Sequence, residues 1–307
     1  MHKIRLDAFG EILFHAAASI FCRGLFDPIC PRILEGLPLI RSDIALPDQA
    51  LSSSEIILPS NKADLQKDEL FAQPVDQIAD FHFGKQTAQV FDDMLDRSVP
   101  YYSEIQRATA ELARDFAAEG TNIYDLGCST CNSFLQIREG LSEDLNVKFI
   151  GIDSSAEMLE RARAKLAKAQ FAWEYELRKD ELNACTPIEN ASVVLMVLTL
   201  QFVRPLYREK ILKTIYEGLN PGGCLILVEK VLGEHSVFNR LFINHYYEMK
   251  KRHGYTEMEI AQKREALENV LVPYQLEENK ELLRYTGFEK LDVFFKWYNF
   301  CGIIAQK

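Results

Sequence analysis

The residues best suited to chemistry follow two apolar stretches, each of which has the pattern of a buried strand. Asp125 and Gly127 belong to the stretch 123–133, and Asp153 directly follows the apolar run 147–152. Because glycine tolerates a positive φ, Gly127 permits a tight turn whose backbone N–H groups face a ligand. An acid after the next strand is suited to accept hydrogen bonds from both ribose hydroxyls of a nucleotide. The spacing therefore predicts a nucleotide-binding crevice.

The turn after the first strand narrows the choice of nucleotide. It holds one glycine, so the glycine fingerprint of a pyrophosphate binder is absent. Asn132 or Ser133 is expected to cap the helix that follows. In the later stretch 219–227, a helix pattern ends in Asn-Pro-Gly-Gly and an apolar strand begins. That arrangement is typical of the fifth strand of S-adenosylmethionine-dependent methyltransferases.

Strand and helix patterns alternate through the central part of the chain, which predicts an α/β fold with a doubly wound, mostly parallel, seven-stranded sheet. The run Ser192–Leu198 is continuously apolar, as expected of a strand buried on both faces. The predicted strands are 123–126, 147–152, 171–177, 192–198, 224–229, 290–298 and 299–305. The predicted helices are 87–95, 105–118, 156–167, 205–218 and 277–285, with Ser154 or Ser155 capping the third.

The chain divides into an extension and one domain. Residues 1–65 are broken by five prolines and by serine-rich stretches, which predicts a poorly ordered or irregular segment. Its run 12–22 is interpreted as a short amphipathic helix, with an export signal as the alternative. Residues 66–307 form the ligand-binding domain. Its first helices are expected to cover the mouth of the crevice, and a helical insertion is expected at about 235–270.

Composition limits the function. The formal net charge of −10 argues against unaided binding to a phosphate backbone. The seven cysteines are scattered and odd in number, which favours reduced thiols in a cytoplasmic protein. No apolar run is long enough to span a bilayer, so no membrane association is expected.

Several longer stretches carry a specific resemblance. From about residue 68 onward the chain resembles the carboxy-S-adenosyl-L-methionine synthases, which are methyltransferase-fold enzymes of tRNA wobble-uridine modification. The matching stretches are Val-Phe-Asp-Asp-Met at 90–94, Arg-Ser-Val-Pro-Tyr-Tyr at 97–102, Tyr-Asp-Leu-Gly-Cys-Ser at 124–129, Ile-Glu-Asn-Ala-Ser at 188–192, Thr-Leu-Gln-Phe at 199–202, Gly-Tyr at 254–255, Gln-Lys-Arg at 262–264 and Leu-Glu-Asn at 267–269.

The resemblance implies a class I, Rossmann-like methyltransferase fold and a particular reaction. The family converts S-adenosyl-L-methionine and prephenate to carboxy-S-adenosyl-L-methionine and phenylpyruvate. Carbon dioxide released from prephenate is captured by a sulfonium ylide, so the chemistry requires positioning and a cation but no metal. The resemblance also implies a homodimer, and the acidic composition suggests that a downstream enzyme handles the tRNA.

The resemblance assigns roles to individual residues. Tyr102 is expected over the ligand, and Arg264 is expected to pair with the transferred carboxylate, which a guanidinium binds through two hydrogen bonds. Asp153 would hold the ribose. The other expected ligand contacts are Asp125, Gly127, Cys128, Ser129, Ser154, Val197 and, at the adenine amine, Asp180 or Glu181. Ordinary surface roles are the alternative, and for Arg264 an i,i+4 pair on a helix would suffice.

Two residues depart from the family pattern. Cys131 replaces a glycine, and its side chain is expected to crowd the methionine carboxylate or to strain the turn. Val197 replaces an asparagine, which removes a hydrogen bond to the ligand. Three alternatives therefore stay open: a conventional methyltransferase, a non-catalytic relative, and a redox protein that uses the Cys-x-x-Cys pair at 128 and 131.

Overall fold

The computed structural model describes residues 66–184 and 186–307. The predictions for residues 1–65, including the amphipathic helix at 12–22, lie outside these residues. Within the described part of the chain, no helix has the length and apolar character needed to cross a membrane.

Seven strands form one sheet at the centre of the described domain. They are β1 (Thr121–Leu126), β2 (Val147–Asp153), β3 (Glu174–Lys179), β4 (Ala191–Val197), β5 (Leu219–Lys230), β6 (Lys290–Trp297) and β7 (Phe300–Gln306). Their order across the sheet is β3-β2-β1-β4-β5-β7-β6. The first five strands are parallel, whereas β7 pairs antiparallel with both β5 and β6. The predicted doubly wound fold is confirmed, and the sheet is mixed.

The central strands are apolar because helices cover both faces of the sheet. Tyr124 of β1 pairs with Ile150 of β2 on one side and with Val194 of β4 on the other. All three side chains are at most 2% exposed. Burial of a continuous apolar run on two faces explains why β4 shows no polar alternation. The strand order reverses between β1 and β4, which creates a crevice at their carboxyl ends.

Eight α-helices accompany the strands within the described ranges. They are α1 (Lys85–Ser98), α2 (Tyr102–Phe116), α3 (Asn132–Arg138), α4 (Ala156–Lys168), α5 (Pro205–Gly218), α6 (Ser236–Arg252), α7 (Glu257–Leu267) and α8 (Leu276–Tyr285). The predicted cap at α4 is confirmed for Ser155, whose hydroxyl accepts the N–H of Met158. The predicted cap at α3 is wrong. Cys131 occupies the N-cap position in a left-handed conformation, and no side chain caps this helix.

Helices α6 and α7 lie where the sequence predicts a helical insertion, and buried polar contacts tie them to the start of the domain. Tyr255 donates a hydrogen bond of 2.6 Å to the carboxylate of Asp68, and the Lys263 ammonium lies 3.3 Å from the same oxygen. Arg97 donates to the carbonyl of His253 over 2.9 Å. These contacts hold the insertion against α1, so the two segments enclose one side of the crevice.

Glu229 links strand β5 to the short 3-10 helix Leu200–Phe202 that follows β4. Its carboxyl group is buried and accepts the N–H of Leu200 over 3.0 Å. Burial raises the pKa of Glu229 to about 8. A neutral carboxylic acid is therefore the stable form of this residue inside the fold near neutral pH.

Replacement of Glu229 by glutamine is expected to flatten the pH dependence of stability. An unfolded glutamate has a pKa of about 4.3, so the folded protein retains a proton that the unfolded chain has released between about pH 4.3 and 8. The free energy of unfolding of the wild type should therefore fall as pH rises through this window, by up to roughly 5 kcal/mol for Glu229. The amide cannot titrate, so Glu229→Gln should lose less stability.

Urea unfolding at about pH 6 and about pH 9 would measure this difference. Burial also raises the pKa of Asp125, to about 7. Asp125 therefore contributes a pH dependence of stability with the same sign, and it does so equally in the wild type and in Glu229→Gln. The control is Glu217→Gln, which changes an exposed glutamate on α5. Equal pH slopes for Glu229→Gln and the wild type would contradict the neutral form of Glu229.

Candidate functional site

A cavity of about 480 Å³ opens at the carboxyl ends of the parallel strands. The structure brings all the site residues predicted from the sequence into its lining: Tyr102, Asp125, Gly127, Cys128, Ser129, Asp153, Ser154, Asp180, Glu181, Val197 and Arg264. The cavity shows where these residues lie, and their contacts with a ligand stay predictions. The sequence could indicate this convergence because the carboxyl ends of parallel strands meet at one edge of a sheet.

The turn after β1 is folded back onto β2. The N–H groups of Gly127 and Cys128 donate to the carbonyl of Ile152 over 2.7 and 3.1 Å, and the N–H of Ser129 donates to Asp153 over 2.9 Å. Gly127 has a φ of 80° and Ser129 a φ of 44°. Left-handed conformations turn the backbone away from the strand direction, which places the turn along the floor of the cavity.

Asp153 accepts hydrogen bonds from two backbone N–H groups. Its carboxylate accepts the N–H of Ser129 and, over 2.9 Å, the N–H of Ser155. Burial raises its pKa, and these backbone hydrogen bonds oppose that shift. The carboxylate therefore fixes the turn after β1 relative to α4. It also lines the cavity at the position predicted for a ribose contact.

Replacement of Gly127 by alanine is expected to destabilise the fold and to close part of the cavity. A methyl group at this position would contact the Thr199 side chain, with its Cγ2 at 2.6 Å. The left-handed backbone adds a strain of about 1 kcal/mol for any other residue. Together we expect Gly127→Ala to lower the free energy of unfolding by about 3 kcal/mol.

Gly222→Ala is the matched control for Gly127→Ala. Gly222 has a φ of 83°, close to that of Gly127, but a methyl group there would meet nothing within 4 Å. Urea unfolding of the two variants therefore separates backbone strain from steric contact. If both variants lower the free energy of unfolding by the same amount, the contact with Thr199 contributes nothing to the loss of stability in Gly127→Ala.

Tyr102 lies under a polar network that joins α1, α3 and α4. Its hydroxyl accepts hydrogen bonds from Gln106 over 3.0 Å and from Asn132 over 3.2 Å. Asn132 also donates to Asp92, which forms an ion pair of 3.0 Å with Lys165. Burial of Asp92 acts to raise the pKa of its carboxyl, but Lys165 and three hydrogen bonds lower it overall. Burial raises the pKa of Tyr102, so its phenol stays neutral.

Asp125 is the most deeply buried acid of the cavity wall, at 2% exposure. Burial raises its pKa to about 7, a hydrogen bond from Ser133 opposes the shift, and the nearby Asp153 adds to it. A positively charged ligand in the cavity would favour the ionised form. The sulfonium of S-adenosyl-L-methionine carries such a charge.

Asp180 and Glu181 follow β3, and the structure separates their roles only in part. Asp180 accepts hydrogen bonds from the Thr186 hydroxyl and from the Glu181 N–H. The Glu181 side chain is exposed. Both line the cavity, so either acid remains a candidate for the adenine amine.

The structure corrects one of the expectations for Cys131. Its side chain is fully buried in the core beneath the turn and does not line the cavity, so it does not crowd the methionine carboxylate. The expected strain is present, since Cys131 has a φ of 59°. A hydrogen bond with Cys131 and burial raise the pKa of the Cys128 thiol. A raised thiol pKa disfavours the thiolate that redox exchange requires.

Arg264 and Val197 also line the cavity. Val197 ends β4 and presents an apolar side chain where an amide would offer a hydrogen bond. Arg264 on α7 is exposed at the boundary between this cavity and a smaller neighbouring one. Within the described residues its guanidinium has no hydrogen bond or ion pair, so the alternative i,i+4 pair with Glu268 is not formed. The group is free to bind an anion.

Several cavity residues were not predicted from the sequence. Phe83 packs edge-to-face on Phe202, with ring centroids 5.2 Å apart, and covers the cavity from the segment before α1. Lys230, Lys250 and Lys263 also line the cavity. A signal existed for Lys230, because two charged residues, Glu229 and Lys230, follow the apolar run of β5. The other two lysines lie in charged helices, where nothing in the sequence distinguishes a buried lysine from an exposed one.

No group of three or more His, Cys, Asp or Glu side chains within residues 66–184 and 186–307 is arranged to hold a metal ion. The residues of the cavity instead offer an acid after β2, at Asp153, and the cations Lys230, Lys250, Lys263 and Arg264. The N–H groups of Gly127, Cys128 and Ser129 are already used in hydrogen bonds to Ile152 and Asp153, so the expected N–H contacts from the turn to a ligand are not offered. This set fits a ligand that carries both a nucleoside and carboxylates.

Comparison with known proteins agrees with this geometry. Residues 123–223 match the family model for a methyltransferase domain. The chain is 55% identical over 243 residues to the carboxy-S-adenosyl-L-methionine synthase of Methylococcus capsulatus, covering 79% of this chain and 100% of the relative. The synthase of Desulfotalea psychrophila is 42% identical, over 79% of this chain and 98% of the relative.

Solved structures show the same fold at low sequence identity. An O-methyltransferase family protein from Burkholderia thailandensis has a TM-score of 0.50 and 14% identity, over 79% of this chain and 63% of its own. A protein of Methanococcus maripaludis assigned to the S-adenosyl-L-methionine-dependent methyltransferases has a TM-score of 0.50 and 17% identity. The match covers 76% of this chain and 97% of that protein.

Proposed function

Because the chain belongs to the carboxy-S-adenosyl-L-methionine synthase family, we propose that it is the enzyme that carboxylates S-adenosyl-L-methionine with prephenate as the carboxyl source. The observation that carries the proposal is the position of Arg264. It lines the same cavity as Asp153 and the Gly127 turn, and its guanidinium is unpaired within the described residues. A conventional methyl donor carries only the methionine carboxylate and has no carboxylate on the transferred carbon for Arg264 to meet.

The proposed reaction balances without an oxidant or a metal. The bond between the prephenate ring and its carboxylate breaks, and its electron pair completes the aromatic ring as the ring hydroxyl leaves as hydroxide. Hydroxide takes a proton from the methyl group of the sulfonium and becomes water. The resulting ylide carbon forms a bond to the released carbon dioxide. The products are phenylpyruvate, water and carboxy-S-adenosyl-L-methionine.

The positions and charges of the cavity residues support these reaction steps. Phe83 and Phe202 provide apolar cover that would keep bulk water from a carbanion. Tyr102 is neutral and held by Gln106 and Asn132, which suits a packing role over the ligand. Arg264 would stabilise the negative charge of the new carboxylate electrostatically as that carboxylate forms.

Mass measurement of the ligand that co-purifies with the protein tests the proposal directly. A ligand heavier than S-adenosyl-L-methionine by one carboxyl group, together with phenylpyruvate formed from added prephenate, is the expected result. Unmodified S-adenosyl-L-methionine and no reaction with prephenate would instead indicate a conventional methyltransferase. An empty site would indicate a non-catalytic relative, for which the apolar Val197 is the supporting observation.

The wider role follows from the product. A carboxylated sulfonium donates a carboxymethyl group, which is the group required for 5-oxyacetylation of a tRNA wobble uridine. The net charge of −10 makes direct tRNA binding unfavourable, so a downstream enzyme would consume the product. We propose that the protein works as a cytoplasmic homodimer, and light scattering at several concentrations would test that assembly.

A further inference from the structure

Three lysines meet at the inner wall of the cavity, at the junction of β5 and the helical insertion. Lys230 ends β5, Lys250 lies in α6 and Lys263 lies in α7. All three line the cavity. We call these three residues the lysine cluster. Lys250 is 6% exposed and Lys263 is 5% exposed, so two of the ammonium groups are removed from bulk water.

The members of the lysine cluster differ in their partners. Lys263 lies 3.3 Å from a carboxylate oxygen of Asp68 and 3.3 Å from the hydroxyl of Ser98. Lys230 and Lys250 have no side-chain hydrogen bond or ion pair with any residue of the described ranges. Their ammonium groups instead lie 5.1 and 4.8 Å from the centroid of the Tyr246 ring.

The cluster therefore carries more positive charge than the protein compensates. Of the three ammonium groups only that of Lys263 is paired with a carboxylate, that of Asp68, so the charges of Lys230 and Lys250 are unmatched within the described residues. Burial is unfavourable for an ammonium group that no anion accompanies. A cation–π contact with one tyrosine offsets only a fraction of that cost. Burial and the charges of Lys263 and Lys230 lower the pKa of Lys250, which reflects the same imbalance.

We propose that Lys230 and Lys250, grouped at the Tyr246 ring, form a carboxylate-binding subsite for the co-substrate of the proposed carboxylation reaction. The inference rests on that proposed function. The subsite would accept the side-chain carboxylate of prephenate, a group that the reaction leaves intact. The ring of Tyr246, beside the two ammonium groups, offers an aromatic surface for the ring of the substrate.

The choice between the two carboxylates of prephenate follows from the reaction. The ring carboxylate loses its charge when it leaves as carbon dioxide. Two cations on that group would stabilise the substrate more than the transition state and would slow the reaction. The side-chain carboxylate keeps its charge throughout, so binding it tightly carries no such cost. Lys230 and Lys250 can therefore anchor the retained end of the molecule, while the departing carboxylate faces the sulfonium.

The test uses Lys250→Met, which keeps the length of the side chain and removes its charge. We expect the KM for prephenate and the inhibition constant of phenylpyruvate each to rise about tenfold or more, as for one lost charge-assisted hydrogen bond. The dissociation constant of S-adenosyl-L-methionine should change less than about threefold. The melting temperature should stay equal or rise, because an unpaired buried charge is replaced by an apolar group.

The control is Lys251→Met on the same helix. Lys251 is ion-paired with Glu248 and Glu257 and does not line the cavity, so its loss should leave both constants for the two carboxylate ligands unchanged. Lys250→Arg should restore part of the affinity lost in Lys250→Met. If Lys250→Met does not fold, Lys230→Met is used in its place, and the same rise in the KM for prephenate and in the inhibition constant of phenylpyruvate is expected.

The outcomes separate this inference from the function on which it rests. If the wild type converts prephenate and Lys250→Met has the same KM, the subsite is wrong while the function stands. If phenylpyruvate inhibits both proteins equally but prephenate affinity falls, the lysine holds the departing carboxylate and the proposal is overturned. If the wild type forms no product, the function is wrong. Calorimetric titration with phenylpyruvate then still tests the subsite, which equal affinities for wild type and Lys250→Met would overturn.

Discussion

Arg264→Ala is expected to weaken binding of carboxy-S-adenosyl-L-methionine about a hundredfold and binding of S-adenosyl-L-methionine less than about threefold. The reason is that both ligands carry the methionine carboxylate, but only the carboxylated ligand carries a second carboxylate, on the transferred carbon, for the guanidinium to bind. Removal of one partner from a charge pair inside a cavity costs about 3 kcal/mol, since the remaining carboxylate loses its hydrogen bonds. Calorimetry with both ligands measures the ratio.

Two further variants sharpen the result for Arg264. Arg264→Lys should recover part of the lost affinity, because an ammonium keeps the charge but lacks the planar fork that matches a carboxylate. Arg252→Ala removes an exposed arginine at the end of α6 that does not line the cavity, and it should affect neither ligand. Equal weakening of both ligands by Arg264→Ala would show that Arg264 supports the fold rather than the transferred carboxylate.

Asp153→Ala is expected to weaken both ligands alike, by about a hundredfold. The ribose hydroxyls would lose an ionised acceptor, and the N–H groups of Ser129 and Ser155 would lose theirs. Hydrogen bonds to a charged acceptor contribute about 1.5–3 kcal/mol each. Because the same carboxylate also fixes the turn after β1, the ligand-free protein should lose stability as well.

Asp153→Asn distinguishes charge from shape at this position. The amide oxygen can accept one of the two backbone N–H groups, but the amide nitrogen opposes the other donor. We therefore expect the asparagine variant to bind almost as weakly as the alanine variant. Asp144→Ala, at an exposed position before β2, is the control. Unchanged affinity in Asp153→Asn would exclude a charged ribose contact.

The fold could be predicted from the sequence because the apolar patterns are periodic and long. The continuous apolar run of β4 indicated burial on both faces, and the bounds predicted for α5 agree with Pro205–Gly218. The bounds of β3 were less accurate: the prediction began at residue 171, whereas the strand is Glu174–Lys179. Phe171 is apolar because it packs against Phe134 and Phe149, not because it belongs to the strand.

The site could be predicted wherever a residue's position along a strand fixes its place in the fold. Asp153 and Val197 end parallel strands, so their positions at the crevice follow from topology. Cys131 shows where this reasoning stops. A left-handed residue sends its side chain in a direction that the sequence does not reveal, and here the thiol enters the core. The burial of Lys250 could not be predicted either, because the spacing of residues along a helix does not reveal which other segments pack against it.

The strand pairings of the sheet differ in how far apart along the chain their residues lie. Strands β6 and β7 form a hairpin around Tyr298 and Asn299, so their contacts are local and can form within microseconds. The remaining pairings join distant parts of the chain, such as Asp125 with Leu195 and Cys224 with Gln306. Closing such long loops costs entropy before any contact repays it, which makes folding slow. The cavity lies at the carboxyl ends of the central strands, so its shape depends on these long-range pairings.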